Sequence, residues 1–557
     1  ITRYLYEQHA QADPIVIGTG LLTGTLFPAT AAAVITAKSP VTGNICHCPV
    51  TQKAGLEIQF SGFDYIVIRG KSAKPVFLWI HDGVADITDA ADVWGKDVWD
   101  TTAAWRKTMG DELIQTLVIG PAGENLVKFA TVACNNSRVC GRTGMGCLFG
   151  SKNLKAVAVR GRGRLTLADP LEYLELCRTF DRKILQHPEY TKRKELGSTL
   201  LMKALDGIGI LPTNHFQQGL ADYVDQVSGE RLAQEYKVKN KSCFNCPIHC
   251  SRYYITPETE SEGPEFETLC SYSSRIGNRD LPFALKMAAY LNRMGLDSLS
   301  SGETIGWAME CVQRGLLNKD DFDGLDFTWG NRETIEKIVR MIVFRQGIGD
   351  AFAEGTRSLA ARFGRGTEEY ALQVKGLDMI CGDPRGLKAF GLTYAIASRG
   401  ADHLRAEPFF ELTERYEESV QRFGTRDAAD RLADHGKAVL VEYTERQALL
   451  TDCLTLCKNV GLSMDILDFE FAARLLRAGT GLTFTPEKMD QALRGIIDAD
   501  RRMNIAFGVT ADQDTLPKRF THEPLTEGPS KGTVVPVKQM VQEYYGLRGW
   551  DETGKPK

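Results

Sequence analysis

The stretch KSCFNCPIHC places Cys243, Cys246 and Cys250 within eight residues. Three thiols this close can serve one metal centre only if the backbone curls around it. Structural zinc sites usually pair two C-x2-C knuckles, or cysteines with histidines. The one extra local ligand is His249, squeezed between Ile248 and Cys250. A compact triplet closed by a distant fourth thiolate is instead the pattern of a [4Fe–4S] cluster. The segment TDCLTLCKNVG offers Cys453 or Cys457 for that place. Spacing alone ranks iron–sulfur first, zinc second and buried cysteines without a ligand role third.

The rest of the composition agrees with a redox centre inside a large protein. The chain has 557 residues, 43% hydrophobic and 25% charged, which leaves room for two to four domains. Its 14 cysteines come in groups: Cys46 and Cys48; Cys134, Cys140 and Cys147; the triplet; Cys453 and Cys457. A chain this long does not need a disulfide framework, so clustered cysteines point to ligation in a reducing, cytoplasmic compartment. A formal charge of -4 asks for neither nucleic acid nor an anionic membrane as partner. No run of ~18 apolar residues suggests a membrane span. The first residue is Ile1 and no signal-peptide pattern follows, so a mature or partial chain is expected.

Along the chain, residues 1–165 carry short apolar runs bounded by Gly, Pro or Asp: DYIVIRG, PVFLWI, QTLVIG and AVAVRG. These read as strands. Asp169-Pro170 then opens a helical pattern, LEYLELCRTFDRKILQ. Helical texture continues to about residue 500, as in LPFALKMAAYLNRMGL. An α+β chain follows, strand-rich over 1–165 and helix-rich beyond. No solenoid period is visible. The Gly- and Pro-rich last fifty residues predict an extended tail wrapping other elements.

In GRTGMGCLFGSKNLK, Gly144, Gly146 and Gly150 precede Ser151, Lys152 and Lys155. Glycines let the backbone approach a phosphate or a flat heterocycle, and exposed N–H groups make an anion nest. A plain turn between two strands fits the composition equally well.

Several segments together resemble the tungsten-containing aldehyde:ferredoxin oxidoreductase family: TGLLTGTLFP, KSPVTG, SGFDYIVIRGKSAKPVFLWI, GRTGMGCLFGSKNLKAVAVRG, SCFNCPIHC, EGPEFET, MGLDSLSSGE, SRGADHLR, TDCLTLCKN and EYYGLRGWDETGKP. They keep the family's order over almost the whole chain. Relative to it, about 40 residues are absent before ITRYLYEQ. The resemblance implies an N-terminal domain of two β-sheets over 1–165, helical domains over 166–375 and 376–557, a tungsten bis-pyranopterin between the three and a [4Fe–4S] cluster beside one pterin. Molybdenum instead of tungsten is invisible to sequence. It also implies that the fourth cysteine lies five residues after an aspartate, which selects Cys457 after Asp452.

The resemblance further implies pterin contacts from Asp297 and Asp452. The position five residues before Asp297, usually another aspartate, is Asn292, which keeps an acceptor and loses the charge. Arg142 would face the pterin's anionic side, with Gly144, Gly146 and Lys152 in the same cradle. At HCPVTQ, residues 47–52, the family's Asn- and Gly-containing loop is replaced, and Ala32 stands where a basic residue is common. Pro49 removes a donor, and Gln52 is less free than glycine. Cys46 and Cys48 are either extra soft ligands or small buried residues.

Glu267 in PEFET and His403 in RGADHLR resemble the family's active-site pair: a proton acceptor or water-orienting group, and a hydrogen-bond donor to the substrate oxygen. Cys270 lies three residues after Glu267, on the same face if the stretch is helical. The benzoyl-CoA-reducing branch has a tungsten-ligating cysteine at a similar place. The first reading is therefore aldehyde oxidation, with electrons passing to ferredoxin or an iron–sulfur partner subunit, in an oligomer. The alternatives are a catalytic subunit reducing an aromatic acyl-CoA, and a non-catalytic electron-relay or scaffold subunit.

Overall fold

The computed structural model describes residues 1–557. The N-terminal part folds into two sheets. Strands β1 (Ile15–Thr19), β2 (Ala33–Lys38), β3 (Ile45–Val50) and β4 (Tyr65–Ile68) form a four-stranded antiparallel sheet in the order β3-β2-β1-β4. Strands β5 (Val76–His81), β6 (Val84–Asp89), β7 (Gln115–Val118), β8 (Val132–Cys134), β9 (Arg138–Cys140) and β10 (Leu154–Arg160) form a mixed sheet in the order β6-β5-β10-β7-β8-β9. Alternate residues face inward, as the two-residue strand period demands. Ile15 and Ile17, Ala33, Ile35 and Ala37, and Cys46, Cys48 and Val50 meet Leu117, Val132, Cys140, Val157 and Val159 in one core. Cys46 and Cys48 thus fill space between the sheets. Pro49 is tolerated because β3 is an edge strand.

The segment 47–52 is the end of β3 and the turn after it. Gln52 adopts φ 87 despite its side chain. It is held there by a bond from Asn135 Nδ2 to its Oε1 (3.0 Å) and one from its Nε2 to Ser137 Oγ (3.2 Å).

Helices dominate from Pro170–Leu185 onward, capped by Asp169 as its sequence position suggests. A three-stranded sheet interrupts them, which the apolar pattern did not predict: β11 (Lys237–Lys241), β12 (Ser251–Ile255) and β13 (Glu260–Glu262). Its strands are lysine- and glutamate-rich, so their burial period is weak.

The carboxyl end corrects the expected extended tail. Val537–Arg548 is a helix that buries Val537, Met540, Val541, Tyr544 and Tyr545. Those positions follow the i, i+3, i+4, i+7 spacing of one helical face, which the surrounding Gly and Pro residues obscured. The face packs on the long helix Lys437–Cys453 and on Lys388–Ile396. No helix is long and apolar enough to cross a membrane.

Candidate active site

The cysteine triplet occupies the loop closed by the antiparallel pair β11 and β12, whose last rung joins Lys241 to Ser251. Asn245 and His249 take left-handed φ values of 47 and 53, which curl the backbone between the thiols. Cys457 lies just beyond the end of the helix Lys437–Cys453. One residue of the N-terminal domain ties the two segments together: Ala29 N–H donates to the Asn245 carbonyl (3.1 Å), and the Ala29 carbonyl accepts from Cys457 N–H (3.0 Å). The thiols sense one another. Burial, then Cys250 and Cys243, push Cys457 up to about 12, and Cys246 is raised by burial and then by Cys457, Cys250 and Cys243. Cys453 is exposed and has Asp452 but no thiol among its neighbours. No three His, Cys, Asp or Glu side chains converge closely enough for a single metal ion. A polynuclear cluster needs thiols set further apart than a zinc ion does.

Guanidinium groups stand beside these thiols. Arg138 faces Cys243 and Cys250 and donates to Glu265 (2.6 Å); Arg252 lies beside Cys250 and Glu265. Burial opposes ionisation of Glu265, but Arg138 and then Arg252 outweigh it and lower its pKa. Sequence reasoning missed all three residues, since lone arginines and glutamates carry no motif.

A second cluster gathers Glu267 and His403. Glu267 is in the short helix Phe266–Ser271, and its Oε2 accepts the Cys381 backbone N–H at 2.8 Å. Its Oε1 stands 4.0 Å from His403 Nδ1. The same nitrogen is 3.9 Å from Asp402 Oδ1, and His403 Nε2 is 4.0 Å from Glu407 Oε1. His403 and Glu267 side chains are each 21% exposed, so solvent-sized molecules reach both. Cys270 lies on the closed side of that helix, fully buried, 3.4 Å from Ser274 Oγ and next to the Cys381 thiol. Cys381 was also missed, because its contact with Glu267 is made by backbone.

Arg142, left-handed at φ 67, reaches across from the β-rich domain. It donates to the Ala401 carbonyl (2.7 Å) and the Asp378 carbonyl, and lies 3.5 Å from Asp402. Asp297 caps the helix Ser298–Gln313 by accepting from Ser300 N–H (2.8 Å). Burial raises its pKa against the pull of Arg142. Asp452 pairs with Lys458 (2.7 Å) and Arg405 (3.0 Å). It lines a small pocket together with Ser398, Arg405, Asp500 and Asn504. Asn292 is half-buried on the preceding helix, Leu281–Met294.

The glycine segment behaves differently from its sequence reading. It forms the helix Met145–Ser151. A Cβ on Gly144 would sit 2.1 Å from the Lys128 carbonyl oxygen, and one on Gly146 2.4 Å from that of Thr131. Close backbone packing therefore accounts for both glycines. Lys152 is not brought to the site; its ammonium donates to the Gly70 carbonyl (3.3 Å).

Comparison with known proteins identifies the class. Residues 3–161 match "Aldehyde ferredoxin oxidoreductase, N-terminal domain", and residues 175–557 match "Aldehyde ferredoxin oxidoreductase, domains 2 & 3". The chain belongs to the aldehyde ferredoxin oxidoreductase family, a family of oxidoreductases. It is 36% identical to the tungsten-containing aldehyde ferredoxin oxidoreductases of Pyrococcus abyssi and Pyrococcus furiosus, over 99% of this chain and 91% of each relative. It is 27% identical to the Pyrococcus furiosus aliphatic sulfonate oxidoreductase, WOR-like subunit, over 99% of this chain and 89% of that one. Among solved structures it resembles the active site complex of benzoyl coenzyme A reductase with 1,5-dienoyl-CoA. That likeness has a TM-score of 0.82 and 25% identity, and covers 98% of this chain and 87% of the other.

The family implies a tungsten–pterin group, and the residues present fit one. Among the buried polar atoms with no protein partner are Arg142 Nε, Asp378 Oδ1, His403 Nδ1 and Arg405 Nε. Each such atom costs about 1–3 kcal/mol if left unsatisfied. They come from the β-rich domain and from the C-terminal helical region, and they combine cationic donors with a carboxylate. Burial, then the nearby Glu303, push Asp378 up to about 7. Such a mixed set suits a heterocycle with both donor and acceptor edges and an anionic tail.

Proposed function

We propose that the chain oxidises an aldehyde to a carboxylate, releasing electrons to ferredoxin or a partner iron–sulfur subunit. The observation that carries this reading is the facing of two partly exposed side chains, Glu267 Oε1 and His403 Nδ1, at 4.0 Å. A tungsten bis-pyranopterin, with molybdenum as its chemical equivalent, would be held by Arg142, Asp297, Asp452 and Arg405. When bound it supplies the two-electron acceptor. One [4Fe–4S] cluster would sit on Cys243, Cys246, Cys250 and Cys457.

The roles of the protein groups follow from which atoms are already engaged. Glu267 Oε2 is fixed by the Cys381 N–H, so Oε1 is the lone-pair site free to take a proton from water or an aldehyde hydrate. His403 Nδ1 has no partner and is positioned to donate to the substrate oxygen. Asp402 and Glu407 flank the ring at 3.9 and 4.0 Å and orient it between them.

Cys270 favours the second reading, reduction of an aromatic acyl-CoA, because it shares the helix of Glu267. Its thiol is fully buried beside Cys381, whereas Glu267 and His403 are partly exposed, and that difference supports the aldehyde reading first. Anaerobic assays separate the two: turnover of aldehydes with a low-potential acceptor is expected, and turnover only of aromatic CoA thioesters would overturn it. Metal analysis with EPR tests the cofactors. Cys457→Ala is expected to abolish the cluster signal and Cys453→Ala to spare it; the reverse result removes the ligand assignment.

A further inference from the structure

Two cysteines outside the proposed site form a pair with the chemistry of a redox couple. Cys48 is on β3 of the four-stranded sheet, and Cys140 ends β9 of the six-stranded sheet. Their thiols adjoin each other between the two sheets, and both are free. Cys140 Sγ also donates to the Cys48 carbonyl (3.7 Å), and Cys48 Sγ lies 3.4 Å from the Gly141 carbonyl. The Arg399 guanidinium reaches Cys48 Sγ at 3.8 Å. The Thr143 hydroxyl, which has no oxygen or nitrogen partner, faces the same sulfur.

Cys46 is an internal control. It sits two residues earlier on the same strand, faces the same way, and burial pushes it up to about 12. Cys48 goes the other way, down to about 7: the Cys140 hydrogen bond, Arg399 and Thr143 outweigh burial and the opposing Asp402 charge. Cys140 is raised well above the ordinary thiol value, first by burial and then by its bond to Cys48. One thiolate near neutral pH next to one protonated thiol is the asymmetry of a nucleophile and its resolving partner. The pair itself is buried, and two of its neighbours reach the pocket beside Asp452. Asp500, which lines the pocket beside Asp452, is hydrogen-bonded to His47, the neighbour of Cys48, and Ser398 of the same pocket precedes Arg399.

We propose that Cys48 and Cys140 are a peroxide-oxidised dithiol, a modification site that joins the two sheets of the N-terminal domain through a reversible disulfide. The Cys48 thiolate attacks a hydroperoxide oxygen, the O–O bond breaks, and Cys48 sulfenic acid forms with release of hydroxide or alkoxide. Cys140 then loses its proton and attacks the sulfenic sulfur, forming the S–S bond and releasing water. Two thiols and one hydroperoxide become one disulfide, one alcohol or water, and one water. Cys140 runs directly into Gly141 and Arg142, so the new bond draws on the loop that carries Arg142 to Ala401 and Asp378. Oxidation is thereby coupled to the proposed cofactor cradle.

The test is peptide mass mapping of the anaerobically purified protein, titrated with hydrogen peroxide and quenched by alkylation in denaturant. It reads thiols alone and is independent of whether aldehydes are substrates. A 48–140-linked peptide is expected, at least tenfold above linkages involving Cys134 or Cys177, and removed by dithiothreitol. Cys140→Ser should abolish the link and leave Cys48 trapped by dimedone; Cys46→Ser should leave the link intact. Absence of the linked peptide while the exposed Cys453 is oxidised would overturn the proposal, as would equal linkage through Cys46. The wild-type map decides even if a variant fails to fold.

Discussion

Two histidines in this chain each stand among carboxylates, and their surroundings differ in every other respect. His215 is wholly buried, with Nε2 2.7 Å from Glu303 and Nδ1 2.6 Å from Glu310. Arg519 closes the far end on Glu310 (2.6 Å), and Arg275 lies 3.3 Å from Glu303. His403 has three carboxylates at 3.9–4.0 Å, makes a full hydrogen bond to none, and is partly open to solvent. The first arrangement satisfies its charges and holds a fold together. The second leaves a donor and a lone-pair site unspent, which is what chemistry on an incoming molecule requires. Even the backbone differs in kind. Asn214, His215 and Phe216 all take left-handed φ values, 45, 56 and 62, at a cost of order 1–3 kcal/mol each that the buried ion network offsets.

The comparison breaks if the two sites respond alike to substitution. Glu267→Gln keeps the acceptor for the Cys381 N–H and removes the base. Aldehyde turnover is expected to fall by ~10²–10⁴, with metal content and melting temperature unchanged. Normal turnover would remove Glu267 from the mechanism. At the closed site the order reverses. His215→Leu strands two buried carboxylates and is expected to cost about 3–5 kcal/mol of stability, read from denaturant unfolding. His403→Ala should cost little stability while lowering kcat and raising KM. Equal destabilisation by both would show that His403 is structural too.

How far this contrast was legible in the sequence depends on what each residue's role requires. The triplet, Glu267 and His403 stood out because their surroundings, SCFNCPIHC, PEFET and RGADHLR, match a family pattern. The strands β4, β5, β7 and β10 were visible from apolar runs bounded by turn residues. His215 was not, because its partners Glu303 and Glu310 lie about ninety residues away on one helix, Ser298–Gln313, and nothing local marks them. The charged residues in SRGADHLR were quoted only for the histidine. Arg399, Asp402 and Arg405 prove to fix its surroundings, so the signal was present and under-used. Gly144, Gly146 and Lys152 show the limit of such a reading. A glycine-rich segment looks alike whether its backbone approaches a ligand or another strand, and here Lys128 and Thr131 carbonyls are what it approaches.

The pH dependence of stability gives the finest version of the same contrast. Burial alone would raise Glu310, but the His215 hydrogen bond and charge, then Arg519, outweigh it and bring it from 4.5 to about 2. A depressed carboxyl contributes stability that is complete above its unfolded value and is lost as pH falls through the folded one. Its share of the acid limb therefore runs from about 4.5 down to about 2. For His215, burial pulls the imidazole down and the Glu303 and Glu310 carboxylates more than offset it, so it is raised above 6.5. That contribution is complete below 6.5 and is lost as pH rises through the folded value. Both contributions are present together between about 4.5 and 6.5, where melting temperature should peak. Glu310→Gln should flatten the acid limb by a few degrees, because the neutral amide has no proton to gain there. His403→Ala should leave the acid limb in place, because it removes neither Glu310 nor any of its partners. An acid limb unaltered by Glu310→Gln would mean that the buried triad carries no linked proton, and the distinction between the two histidines would then rest on geometry alone.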